Sequence, residues 1–174
     1  MFIIELVHSR PAGAFMKIRE IMTADVQVVH PQDSIAMVAK LFADRDIHGA
    51  PVVDEHGRLV GIVTESDVIR STKTKYTTYN MVYPSIHQFG VEFKEGTTYA
   101  DLSKAFEEVK HAPVSEIMTA AVITATPDDL VEEVAPMMVK NHINRVPVVE
   151  GGIVVGIVTR GDILRGMFKN DKKK

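Results

Sequence analysis

Two short stretches hold the residue types best suited to ligand chemistry: Gly61-Ile-Val-Thr64-Glu-Ser-Asp67 and Gly156-Ile-Val-Thr159-Arg-Gly-Asp162. In each, a β-branched run gives way to residues that start a helix, so the threonine falls at a strand-to-helix junction. Free backbone N–H groups at a helix start favour anions. A threonine hydroxyl there can reach a phosphate or a sugar. A carboxylate one turn further on can accept hydrogen bonds from both hydroxyls of a ribose, as acidic residues do in dinucleotide folds. The same spacing also has a purely structural use, because Thr-x-x-Asp is close to a capping box. The two uses are compatible, since a capping hydroxyl still has a proton to donate. No nucleophile, base and orienting group can be assembled from the sequence, so no catalytic residue is assigned and no enzyme is expected. The seven histidines show no metal-ligand spacing, and no metal site is expected either.

These stretches belong to a longer duplication. With an offset of 96, residues 20–54 match residues 116–150 at 14 of 35 positions. Glu20-Ile-Met-Thr-Ala24 returns unchanged as Glu116-Ile-Met-Thr-Ala120, and Pro51-Val-Val53 as Pro147-Val-Val149. After one deleted residue, Gly61–Arg70 meets Gly156–Arg165 with 6 of 10 identical. Unrelated segments of this total length would share roughly three residues, so the chain is a tandem repeat.

Each copy predicts the same elements. A short β-branched run, Val26–Val29 or Val122–Thr124, ends at Pro31 or Pro127. A helix follows, capped by Asp33 or Ser34 in the first copy, with Ile35, Val38, Leu41 and Phe42 on one face. In the second copy Asp128 or Asp129 caps, and Leu130, Val131, Val134, Met137 and Met138 form the face. Pro136 lies inside this helix, where a proline costs about 3 kcal/mol, and predicts a kink or an early stop. Two hairpins come next, turning at Asp54-Glu-His-Gly57 and Glu150-Gly-Gly152. A second helix starts near Thr64 or Thr159. The expected fold is therefore mixed α/β (α+β), with two β-α-β-β-α repeats of 16–70 and 114–168. A copy of about 50 residues cannot cover both faces of so small a sheet, so sheet-to-sheet packing of the copies is expected.

Between the copies, residues 71–113 form an insert with seven of the chain's 11 aromatics, among them Tyr76, Tyr79, Tyr83, Phe89 and Phe93. Its last part predicts a helix from Thr97 or Thr98 to Val109, with a threonine cap and a face of Tyr99, Leu102, Phe106 and Val109. These aromatics pack the insert onto its own domain, stack an adenine or dock a partner. Residues 1–15 read as an N-terminal extension and 169–174 as a solvated basic tail. A net charge of −3 provides no footprint for nucleic acid or an anionic membrane surface. No apolar run approaches the roughly 18 residues needed to span a bilayer. The absence of cysteine excludes disulfides and thiolate chemistry and fits a cytoplasmic location.

Taken in order, Ile21-Met-Thr23 and Ile117-Met-Thr119, Ile47-His-Gly-Ala-Pro51 and Ile143-Asn-Arg-Val-Pro147, and the two Gly-Ile-Val-Thr-x-x-Asp units resemble a tandem pair of cystathionine β-synthase (CBS) domains. The resemblance implies a pseudo-twofold module with two clefts between the repeats. It implies a regulatory module with no cofactor, whose effector is an adenosyl ligand: AMP, ADP, ATP or S-adenosylmethionine. It further implies a homodimer and, since nothing here reads as an attached catalytic domain, a protein regulated in trans. Residue by residue, Thr64 and Asp67, and Thr159 and Asp162, match the family's threonine and ribose-binding aspartate, with Arg160 beside the second pair. Thr23 with Ala24, and Thr119 with Ala120, match the first-strand edge of the pocket. Ala50 and Val146, each followed by proline (Pro51, Pro147), would lend backbone groups to adenine. Arg145, next to Asn144, keeps the family's phosphate-facing chemistry. The first copy departs from it, with His48 and Gly49 at the matching positions. The alternative is a non-catalytic interaction or dimerisation module with vestigial clefts.

Overall fold

A computed structural model describes residues 15–72 and 98–169. Residues 1–14 of the extension, the insert aromatics Tyr76, Tyr79, Tyr83, Phe89 and Phe93, and residues 170–174 of the tail lie outside the described residues. The elements are α1 (Ile35–Arg45), β1 (Gly49–Val53), β2 (Leu59–Thr64), α2 (Glu65–Ser71), α3 (Tyr99–Val109), α4 (Val131–Lys140), β3 (Arg145–Glu150), β4 (Ile153–Thr159) and α5 (Arg160–Lys169). Short 3-10 turns at Ile18–Glu20 and Val114–Glu116 open the two Met-Thr segments, called leaders below. The fold is mixed helix and strand, with two antiparallel two-stranded sheets, β1-β2 and β3-β4.

The described residues form two compact units, one drawn from residues 27–72 and 98–122 and one from residues 15–26 and 123–169, referred to as the 27–122 unit and the other unit. Each unit therefore combines the body of one repeat with the leader of the other. In the first of these, Thr119 N–H donates to Ile62 O at 2.9 Å and Ile62 N–H donates to Thr119 O at 3.0 Å. In the other, Thr23 and Ile157 exchange the same two bonds, both at 2.9 Å. Glycine lets the leaders in. A Cβ on Gly61 would lie 2.6 Å from Met118 Sδ and 3.2 Å from Thr119 O; one on Gly156 would lie 2.9 Å from Met22 Sδ and 3.0 Å from Thr23 O. The leaders also carry core residues. Val114 is fully buried among Val29, Ile35, Val38 and Phe42, and Ile18 among Val131, Val134, Met138 and Val158.

Prolines limit the first β element of each repeat to a single bridge. Val29 pairs parallel with Val52: its N–H donates to Pro51 O at 3.0 Å and its carbonyl accepts from Val53 N–H at 2.9 Å. The next bond in either direction would need a donor from Pro51 or Pro31, and neither has an N–H. Val53 O instead lies 3.0 Å from His30 Nδ1. Ala125 repeats the pattern on Val148, bounded by Pro127 and Pro147. Within the hairpins the same two prolines are harmless. Pro51 faces Ile62 and Pro147 faces Ile157 across the ladder, and the backbone groups of Ile62 and Ile157 turn outward to the leaders.

The helices follow the expected faces with three differences. Ser34 caps α1, accepting from Met37 N–H at 3.2 Å, while Asp33 holds His30 N–H. Neither Asp128 nor Asp129 caps α4: its N-cap is Leu130, Asp129 accepts from Thr126, and Asp128 pairs with Lys17 and Arg19. Helix α4 also runs through Pro136 to Lys140 without the early stop. The proline and Glu132, whose carbonyl its missing N–H would have met, are both exposed, so water can reach that carbonyl. Helix α3 starts after Thr98 as expected, closed by a capping box with Asp101, but Tyr99 is 87% exposed and Ala105 is the buried residue of this helix.

Candidate functional site

The two strand-to-helix junctions are built alike. Thr64, the last residue of β2, caps α2: its backbone N–H and its hydroxyl donate to Asp67 Oδ2 at 2.9 and 2.7 Å. Thr159 at the end of β4 does the same to Asp162 Oδ2 at 2.8 and 2.7 Å, and its hydroxyl accepts from Asp162 N–H at 3.2 Å. The capping box anticipated from the spacing is thus present at both starts. Asp67 and Asp162 are nonetheless buried, at 8% exposure each, which is unusual for a carboxylate serving only as a cap.

Each aspartate has a second oxygen, and an arginine one turn on reaches it. Arg70 Nη1 donates to Asp67 Oδ1 at 3.0 Å, and Arg165 Nη2 donates to Asp162 Oδ1 at 2.5 Å. Both arginines lie outside the Thr-x-x-Asp pattern itself. The signal was available, because Arg70 and Arg165 are the last matched pair of the duplicated Gly-to-Arg stretch and stand at i+3 from the acids.

The 27–122 unit brings Thr119, Thr64 and Asp67 onto one strand edge and the helix it enters. Thr119 pairs two residues before Thr64, and both Thr119 and Ala120 are exposed. His48, just ahead of β1, places Nδ1 2.9 Å from Glu65 Oε2, with both side chains exposed. Asp67 and Arg70 also open onto a cleft of about 370 Å³, lined further by Ser71, Glu116, Ile35 and Val109. The other unit repeats the arrangement with Thr23, Thr159 and Asp162, and Thr23 and Ala24 are exposed. Arg145 faces Thr159 across the β3-β4 ladder and is half-buried, and Asn144 is exposed beside it. Arg160 is turned elsewhere: its guanidinium donates to Ile143 O at 3.0 Å and Met138 O at 3.2 Å, at the end of α4. Ala50 and Pro51, like Val146 and Pro147, are buried within their strands, so they shape the sheet rather than present side chains.

Among the described residues no group of three or more His, Asp or Glu is disposed to hold a metal ion. No helix among them is long and apolar enough to cross a membrane.

Comparison with known proteins points one way. The family model for the CBS domain matches residues 18–73 and again 114–169. An uncharacterized protein of Methanocaldococcus jannaschii is 34% identical over 158 residues, covering 90% of this chain and 94% of that protein. A chloroplastic CBS domain-containing protein of Arabidopsis thaliana, CBSX1, is 28% identical, covering 92% of this chain and 68% of its own length. Among solved structures, the CBS domain pair of protein MJ0100, in complex with 5′-methylthioadenosine and S-adenosyl-L-methionine, superposes with a TM-score of 0.64 and 31% identity. It covers 87% of this chain and 95% of that one.

Proposed function

The chain belongs to the CBS domain family, and from that premise we propose that it is a non-catalytic regulatory module whose effector is an adenosyl ligand: AMP, ADP, ATP or S-adenosylmethionine. The observation that carries this reading is the pair of buried aspartates, Asp67 and Asp162, each fixed at a strand-to-helix junction with an exposed leader threonine two residues back along the neighbouring strand edge. That is the arrangement a ribose needs: an oriented acceptor for its hydroxyls and nearby donors for the remainder of the ligand. The similar CBS pair crystallised with two adenosyl compounds supports the same ligand class. Arg145, with Asn144 alongside, supplies the phosphate- or carboxylate-facing charge, and His48 supplies a weaker donor from the first repeat.

The experiment is a thermal-shift panel with AMP, ADP, ATP, S-adenosylmethionine and NAD, followed by calorimetry on any hit. A ligand at 100 times its Kd stabilises the fold by about 2.7 kcal/mol, which is visible for a chain of this size. Asp67→Asn and Asp162→Asn, which keep the side-chain shape, should each abolish binding at one site. If both variants, shown to be folded, bind as tightly as wild type, the assignment of these aspartates is wrong.

A second reading rests on a separate observation. Leu164, Met167 and Phe168 of α5 are each 57% exposed, and Val139 of α4 is 64% exposed. Apolar residues so placed favour association. We propose that the protein is a homodimer that acts on a partner in trans, and sedimentation of wild type against Leu164→Glu tests the dimer. If no adenosyl ligand binds while the dimer persists, the interaction module becomes the better account.

A further inference from the structure

The two arginine–aspartate pairs have a consequence for the affinity of these sites, which rests on the adenosyl-ligand reading above. An ionised carboxylate has about four lone-pair positions, two on each oxygen. On Asp67, Oδ2 already accepts two bonds from Thr64, and Oδ1 accepts one from Arg70. On Asp162, Oδ2 accepts two from Thr159 and Oδ1 one from Arg165. One position remains on each acid. A ligand with a single hydroxyl in reach can take it, but a vicinal diol such as a ribose brings two donors. For both to bind the carboxylate, one existing bond must break.

The candidates for release are unequal. The threonine N–H is fixed by the turn from strand to helix, and the hydroxyl beside it belongs to the same helix cap. The arginines sit on long side chains that are 54% and 68% exposed while their carboxylate partners are only 9% exposed. An exposed guanidinium exchanges its partner for water at small cost. In the 27–122 unit it has a further option, since Glu116 lines the same cleft as Arg70 and Asp67.

We propose that Arg70 and Arg165 are built-in competitors for the ribose diol, holding the outer oxygen of Asp67 and Asp162 when no ligand is bound and setting the affinity for vicinal-diol ligands. They are specificity-determining residues of these sites: they penalise a ligand that places two hydroxyls on the aspartate and spare one that places a single hydroxyl there.

The test uses the full chain and neutral nucleosides, so that the lost positive charge does not act through a phosphate. Binding of adenosine and of 2′-deoxyadenosine is measured by calorimetry for wild type and for the double variant Arg70→Met/Arg165→Met. The variant Arg70→Gln/Arg165→Gln serves as a second version should the first fold poorly. The expected result is adenosine binding tightened about two- to fivefold, the size of an exposed ion pair, with 2′-deoxyadenosine unchanged. Adenosine affinity that is unchanged or weakened, or a gain equal for both nucleosides, overturns the competition while leaving the adenosyl reading intact. Absence of adenosine binding in wild type and variants alike overturns the competition, and the adenosyl reading falls with it only if AMP, ADP, ATP and S-adenosylmethionine also fail to bind.

Discussion

A leader meets its strand closely at Gly156, and Gly156→Ala tests that contact directly. The added methyl would sit 2.9 Å from Met22 Sδ and 3.0 Å from Thr23 O. The methionine can swing away, but the carbonyl is held by Ile157 N–H and its neighbour by Ile157 O, both at 2.9 Å. Relief therefore requires the leader to lift off β4. Two backbone hydrogen bonds at about 1 kcal/mol each would be weakened, and overpacking alone costs about 1–3 kcal/mol. A loss near 2 kcal/mol lowers the Tm by roughly 4–8 °C for a chain of this length. The control is Gly161→Ala in the first turn of α5. Its methyl would first meet the end of the exposed Arg165 side chain at 3.3 Å, and alanine is the better helix former. Urea unfolding and thermal melts of both variants give the comparison, with hydrogen exchange at Thr23 and Ile157 reporting on the leader itself. If Gly156→Ala melts within about 1 °C of the control, or the exchange of these two amides is unchanged, the close approach does not constrain the fold and the reasoning fails.

Other expectations are as direct. Ile18→Val, trimming one methylene from a fully buried leader residue, should cost about 0.5–1.5 kcal/mol in urea unfolding, whereas Tyr99→Ser at an exposed site should stay within about 0.5 kcal/mol. Hydrogen bonding from Lys17, with the charges of Lys17 and Arg19, holds the Asp128 carboxyl below the usual carboxylate range. Its contribution is therefore complete above the unfolded-state value and is lost as pH falls through the lowered one. Asp128→Asn should flatten the acid side of the stability curve below about pH 4, and salt should shrink the difference because the pair is exposed. Ser34→Ala should cost about 1 kcal/mol through loss of the α1 cap, and Asp129→Ala should not behave as a helix-cap deletion, since its partner is Thr126 rather than α4.

Much of this molecule is written in short-range pattern. The hairpins follow from β-branched runs flanking Asp54-Glu-His-Gly57 and Glu150-Gly-Gly152, where Gly57, Gly151 and Gly152 take positive φ. The Thr-x-x-Asp junctions follow from residues three apart, whose geometry a helix start dictates whatever surrounds it. The Ser34 and Thr98 caps are local in the same sense. The misplaced α4 cap shows the limit of such reasoning: Asp128 had a competing partner in Lys17, 111 residues away in sequence, and Asp129 a nearer one in Thr126. Tyr99 shares the helical period of Leu102, Phe106 and Val109, yet it is only the first residue of its helix and stands clear of the core.

The two copies, the elements in each, and the threonine and aspartate at each strand-to-helix turn are legible along the chain, because all of these rest on contacts within a few residues. Which leader joins which strand is fixed by long-range packing instead. Glu20–Ala24 and Glu116–Ala120 are identical, and so are the Gly-Ile-Val-Thr strands that receive them, so nothing in local chemistry distinguishes one pairing from its exchange. The structure places Thr23 on β4 and Thr119 on β2, and so gives each candidate site a threonine from one repeat and an aspartate from the other. It also decided how buried the two aspartates are, since burial depends on packing brought from distant parts of the chain. The arginines that occupy their outer oxygens stood in plain view at i+3, but their significance appeared only once that burial left them the exposed partners of a buried acid.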